Sequence, residues 1–151
     1  MYKRQPTNLP ASIRQRVLYL SRDRGEDFNL TLTRYGIERL LYRLCQSEHA
    51  DLFVLKGALL LSLWTGRLRC PTRDLDLLSY GDSSQEALTQ RFRDICVVDV
   101  QADGLTFHAD SVRVTEIRED QEYGGQRVQL TATLGNARIH LQVDIGFGDA
   151  I

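Results

Sequence analysis

The stretch CPTRDLDLLSYG, residues 70–81, carries two aspartates, Asp74 and Asp76, each followed by a leucine. Strict alternation is the pattern of a β-strand, because successive side chains leave opposite faces of the pleat. Leu75 and Leu77 then share one face and the two aspartates the other, roughly 6.5–7 Å apart along the chain. Such a pair can be the solvated side of a half-buried strand. It can equally be half of a metal site, since like charges held this close repel unless a cation lies between them. The pair alone leaves both readings open.

Two features elsewhere in the chain bear on the choice. Asp144 lies in LQVDIGFGD between Val143 and Ile145, in a run whose apolar alternation marks a central strand, where an unpaired carboxylate is costly. If that strand pairs beside RDLDLL, Asp144 completes a cluster of three carboxylates. Asp149, in a Gly-Asp after the strand, reads more simply as a turn residue. Upstream, LKGALLLSLWTG places Lys56 and Gly57 at the start of a short helix, whose free N–H groups and dipole favour a phosphate; a helix-initiating glycine and a snorkelling lysine give the same letters. Mg²⁺ is the natural occupant of such a carboxylate cluster, with Mn²⁺ as its substitute. It takes hard oxygen ligands and leaves positions for water and substrate phosphate.

The rest of the chain supplies a frame. From Pro10 to Arg24 the residues Ile13, Val17 and Leu20 recur at helical spacing, with Ser12 as candidate N-cap and Gly25 as stop. A second helix is predicted from Ile37, Leu40, Leu41, Leu44 and Cys45, with Arg34, Glu38, Arg39 and Arg43 off the apolar stripe. DLFVLKG reads as a short buried strand or a helix start. SSQEALTQRFRDIC reads as an amphipathic helix capped by Ser83 or Ser84, with Ala87, Leu88, Phe92 and Ile95 inward. VVDV, LTF, VRVTEIRE, RVQLTATL and ARIHLQVDIGF alternate with period two, separated by the turn signals Asp103-Gly104, Gly124-Gly125 and Gly135-Asn136. The last three runs should form an antiparallel meander. This order predicts an α+β fold with a mixed sheet and helices mainly on one side.

At 151 residues, 42% of them hydrophobic, the chain fits a single domain, 1–151, with a helical region over 1–50 and a sheet core over 51–151. No apolar stretch is long enough to span a bilayer and the basic N-terminus leads into no apolar run, so a cytoplasmic location is expected. Cys45, Cys70 and Cys96 are odd in number and show no paired spacing, which reads as reduced thiols filling the core. His49, His108 and His140 are isolated in sequence, with His140 facing solvent, and Trp64 is expected to pack rather than stack a base. Residues 1–44 carry nine Lys or Arg against four acids, and residues 45–151 ten against sixteen. That division suits a basic face beside an acidic pocket, as a polyanion-handling protein needs.

The order of a glycine opening a helix, Asp-x-Asp on the next strand and a third Asp on a later one resembles the nucleotidyltransferase superfamily of DNA polymerase β. More narrowly, FVLKGALLLSLWTG, PTRDLDLL, REDQEYGGQRV and ARIHLQVDIGFGD are similar to the AbiEii/AbiGii family of nucleotidyltransferase-fold toxins, over about Ser12 to Ile151. The resemblance implies a polymerase β-like fold in which Asp74, Asp76 and Asp144 are the catalytic and metal-binding carboxylates. Lys56, Gly57, Ala58, Thr72 and Arg73 would lie against the nucleotide, with Arg73 reaching the triphosphate. It further implies transfer of a nucleotide from an NTP to an acceptor such as tRNA, as the toxin of a type IV toxin–antitoxin or abortive-infection system with a cognate antitoxin. The family usually has Gly or Ser where this chain has Ala58, so only backbone N–H groups remain there to hold phosphate. Family members also generally continue into a helical C-terminal half, whereas this sequence ends at Ile151. An isolated catalytic half or a truncated product is expected, with self-association through an uncovered apolar surface. The alternative is a catalytically inactive module of the same fold that binds a partner protein or nucleic acid.

Overall fold

The computed structural model describes residues 8–55, 74–119 and 122–147. Helix α1 spans Leu9–Arg24 and α2 spans Phe28–Gln46. Strand β1 (Phe53–Leu55) and strand β2 (Asp74–Ser79) follow, then α3 (Gln85–Cys96). Strands β3 (Leu105–Phe107), β4 (Arg113–Glu119), β5 (Glu122–Leu134) and β6 (Ala137–Phe147) complete the described elements. No helix among the described residues is long and apolar enough to cross a membrane.

The helix ends follow local chemistry. Asn8, one turn before the predicted Ser12, caps α1: its side-chain oxygen accepts from the Ala11 N–H, and Pro10, which has no N–H to satisfy, sits in the first turn. Gly25 stops α1 in the left-handed conformation with φ 64°. Ser84, rather than Ser83, caps α3 by accepting from the Ala87 N–H. Along α3, Leu88, Phe92 and Ile95 are fully buried, at the spacing of one helical face, and Ala87 lies at its half-buried margin.

The strands form one six-stranded mixed sheet in the order β1-β2-β6-β5-β3, with β4 also paired to β5. The meander of β4, β5 and β6 is antiparallel, as the alternation predicts. Strands β2 and β6 run parallel, and these two neighbours position the site. Leu75, Leu77, Val128, Leu130, Ile139, Leu141, Val143 and Ile145 are all buried on the inner face. There α2 packs directly on β6: a Cβ added at Gly36 would lie 3.2 Å from Ile139 and Leu141, so the absence of a side chain lets the helix approach. Phe53 of β1 meets Phe92 of α3 edge-to-face at 5.7 Å. A single buried cluster thus runs from α1 and α2 through the sheet to α3.

Four sequence expectations need correction. VVDV forms no strand; Val97 is the C-cap of α3 and is 70% exposed, and the segment is drawn across α2 by Asp103 instead of joining a sheet edge. Gly124 and Gly125 are not a turn between strands but lie within β5. The register shifts there from Ile117↔Gly125 to Arg118↔Tyr123, the mark of a β-bulge. Cys45 is exposed, because it lies at the edge of the α2 stripe, whereas Cys96 is buried. Finally, Arg34 and Arg43 are buried, not solvated. Arg34 donates to Glu26 at 2.6 Å, while Arg43 stacks over Phe107 and reaches Asp103. The arginines of α2 are therefore largely spent on internal partners, and the exposed basic residues of these first two helices are Arg14, Arg16, Arg22 and Arg24 of α1.

Two of these features make measurable predictions. Gly125 has φ 124°, and a side chain there would press on the Ile145 carbonyl oxygen. Gly125→Ala should cost at least about 2 kcal/mol in urea unfolding, because both backbone strain and the β5–β6 contact are affected. The Cys96 thiol is pushed up to about 11 by burial. In native protein at pH 8, a disulfide reagent should therefore modify Cys45 readily and leave Cys96 untouched until denaturant is added.

Candidate active site

The face of the sheet opposite α2 carries the polar half of the alternation. Because β2 and β6 are parallel and in register, Asp76 stands beside Asp144, and Asp74 beside Gln142. The same rows continue onto β5, where Arg127 is the partner of Asp144 and Gln129 the partner of Gln142. Side chains paired across adjacent strands share a face. Asp76, Asp144 and Arg127 therefore lie side by side on three neighbouring strands, at the strand spacing of about 4.8 Å. The arrangement follows from the period-two patterns: Leu75 and Leu77 of β2 and Ile139, Leu141, Val143 and Ile145 of β6 turn inward, which forces Asp76 and Asp144 onto the same outer face.

Asp76 is exposed and Asp144 half-buried. Arg127 Nε donates to Asp144 Oδ1 at 2.9 Å and Nη2 to Oδ2 at 3.4 Å, a forked contact. The expected costly carboxylate of the central strand is thus compensated by a cation of the next strand. In the adjoining row Gln129 Nε2 donates to Gln142 Oε1 at 3.3 Å. His140 is exposed, as expected, and its Nδ1 lies 3.4 Å from the Thr131 hydroxyl.

Asp76 and Asp144 offer hard carboxylate oxygens from neighbouring, rigidly paired strands on a face open to water, a donor set that suits a small divalent cation. Asp74 opens β2, two residues before Asp76, and its backbone is in register with Gln142. Of the remaining predicted site residues, Lys56, Gly57, Ala58, Thr72 and Arg73 lie outside the described residues, as do Trp64, Cys70 and Asp149. Arg127 was not singled out from sequence. The available signal was its place two residues after Gly125 in an alternating run, but its register against Asp144, seventeen residues on, depends on the hairpin turn at Gly135.

A second group of ligand atoms sits in the helical layer. His49, read as isolated, has Nε2 3.0 Å from Asp94 Oδ2 and 3.6 Å from Glu48 Oε1. All three ligand atoms lie within 4.8 Å of one another. The hydrogen bonds from His49 and then Gln90 hold the Asp94 carboxyl below its usual range. No local pattern joins these residues, because Asp94 comes from α3 and the histidine from the turn after α2.

Among known families, the model described as "Nucleotidyl transferase AbiEii toxin, Type IV TA system" matches residues 39–151. The matched stretch begins within α2, later than the start of the sequence resemblance, and includes every strand. No curated protein matches the chain.

Proposed function

The chain belongs to the AbiEii family of nucleotidyl transferase toxins of type IV toxin–antitoxin systems, and from that premise we propose that it transfers a nucleoside monophosphate from an NTP to an acceptor such as tRNA, using Asp74, Asp76 and Asp144 as its metal-holding carboxylates. The observation that carries this reading is the register Asp76↔Asp144 between parallel strands, which sets two carboxylates side by side on one open face. Asp74, two residues earlier in β2, is the proposed third carboxylate.

In this reaction the acceptor hydroxyl oxygen forms a bond to the α-phosphorus. The bond from that phosphorus to the β-phosphate oxygen breaks, and pyrophosphate leaves with the electron pair. The hydroxyl proton passes to a carboxylate oxygen of the row. Mg²⁺, when bound, neutralises phosphate charge and makes the attacking hydroxyl more acidic. The chain's own contribution is orientation: the sheet holds Asp76 and Asp144 at fixed spacing, so little reorganisation is needed as charge develops. Lys56, Gly57, Ala58, Thr72 and Arg73 are the proposed nucleotide contacts. The exposed arginines of α1 offer a polyanionic acceptor its counter-charge, and the cognate partner is an antitoxin.

One observation favours a second reading. Asp144 already has a positive partner in Arg127, so the carboxylates can be stable as a structural network in a non-catalytic module that binds a partner protein or nucleic acid. Incubation with labelled NTPs, total tRNA and Mg²⁺ separates the two. Label joined to RNA and lost with EDTA supports the transferase. Retention of tRNA without label transfer under every metal condition overturns it in favour of the module.

A further inference from the structure

The pair that favours the second reading also bears on the first. Arg127 contacts the one carboxylate that β6 contributes to the proposed metal site, and it does so through both Nε and Nη2. The two oxygens of Asp144 that Arg127 occupies are the atoms a divalent cation would need. Resting on the carboxylate reading above, we infer that Arg127 is a built-in competitor of the metal, a positioning residue that holds Asp144 in place and weakens the binding of a bare cation.

The geometry supports competition over a purely structural pair. The three side chains form a row Asp76, Asp144, Arg127 set by consecutive strand pairings. Arg127 Nε lies 2.9 Å from Asp144 Oδ1, so a cation held by that oxygen at about 2.1 Å would lie about 5 Å from the guanidinium. The guanidinium side chain is 39% exposed and the carboxylate 23%. Water reaches both, and exchange of partner needs only a change of rotamer, not an opening of the sheet. An ion pair of this exposure contributes little to stability, so its loss should leave the fold intact. A divalent and a monovalent cation about 5 Å apart in water-like surroundings repel enough to lower affinity on the order of fivefold at physiological salt. The carboxylate, for its part, stays paired and oriented when no metal is present. A cation that arrives carrying an anion is penalised less, because the anion's charge offsets that of the guanidinium.

The test is Mn²⁺ binding to the full chain, followed by electron paramagnetic resonance of the free ion, for the wild type, Arg127→Gln, Arg127→Lys and Asp76→Asn. Comparison with Asp76→Asn isolates the ion held by the row from any held by Glu48, His49 and Asp94. Arg127→Gln should bind the Asp76-dependent Mn²⁺ about fivefold more tightly than the wild type. Arg127→Lys, which keeps the charge, should stay near the wild-type value; a merely structural role would make both variants weaker. Mn²⁺ bound in an Asp76-dependent way, with affinity unchanged or reduced in Arg127→Gln, overturns the competition and leaves the carboxylate site standing. No Asp76-dependent Mn²⁺ in either the wild type or Arg127→Gln overturns the carboxylate reading and the inference with it. Mn²⁺ that appears only once Arg127 is neutralised supports both.

Discussion

Asp76→Asn should lower metal-dependent nucleotide transfer by about a thousandfold, because a ligand that supplies several kcal/mol of charge stabilisation at the reacting phosphate is replaced by a neutral amide of the same shape. Asp144→Asn should do the same. Both substitutions are nearly isosteric. Asp76 is exposed, so unfolding free energy should change by no more than about 1 kcal/mol. Asp144→Asn also gives up its charge partner Arg127, worth at most about 1 kcal/mol at this exposure. The comparison to make is therefore transfer rate against thermal midpoint, measured on the same preparations. Wild-type transfer in Asp76→Asn, with metal dependence intact, would refute the assignment of the carboxylate row. A parallel collapse of activity and midpoint would show that the row is needed for folding instead.

The second large effect lies far from that row. Asp103 accepts from Arg43 Nη1 and Nη2 at 2.7 and 3.0 Å and from Arg39 Nε at 2.8 Å, and its Oδ1 also accepts the Leu105 N–H. Tyr35 donates its hydroxyl to the Asp103 carbonyl at 2.7 Å. The side chains of Arg43 and Asp103 are only 6% and 8% exposed. Asp103→Ala leaves a buried guanidinium without its carboxylate, and such a change typically costs about 3–5 kcal/mol. For a chain of this size the midpoint should fall by about 10 °C. Asp103→Asn keeps an acceptor and should lose less.

Acid sensitivity gives an independent check. Burial alone would push the Asp103 carboxyl up, but the hydrogen bonds from Arg43, Arg39 and the Leu105 N–H together outweigh it and hold the group below its usual range. A carboxyl depressed in the folded state contributes stability that is present above its unfolded value, about 3.9, and is lost as pH falls through the lower folded value. The wild-type midpoint should therefore drop more steeply below about pH 4 than that of Asp103→Asn. Equal slopes would mean that the network adds no net charge stabilisation.

These two residues also show how much was legible in the chain and how much was not. Asp76 could be placed on an outer strand face from DLDLL alone, because alternation of period two is a local property of the extended backbone. The same logic put Asp144 on an outer face, and the 3.6-residue period located Leu40, Leu41 and Leu44 on the buried side of α2. Turn chemistry was equally local: Gly25 and Gly135 end their elements with positive φ as glycines do. Asp103 was readable only as half of a turn signal, since its partners Arg39 and Arg43 precede it by 64 and 60 residues. The arginines of α2 looked like a solvated face for the same reason, and the Gly124-Gly125 pair looked like a turn because a bulge is defined by the partner strand.

Periodicity and residue chemistry sufficed for the strand and helix faces and for the α+β class, because each depends on backbone geometry over a few residues. Which strand lies beside which, and in what register, depends on contacts between distant segments whose closure is settled by packing of the whole core. That long-range pairing set Asp76 against Asp144, put Arg127 onto the same carboxylate, and converted the charge of α2 from a surface feature into the buried support of the fold.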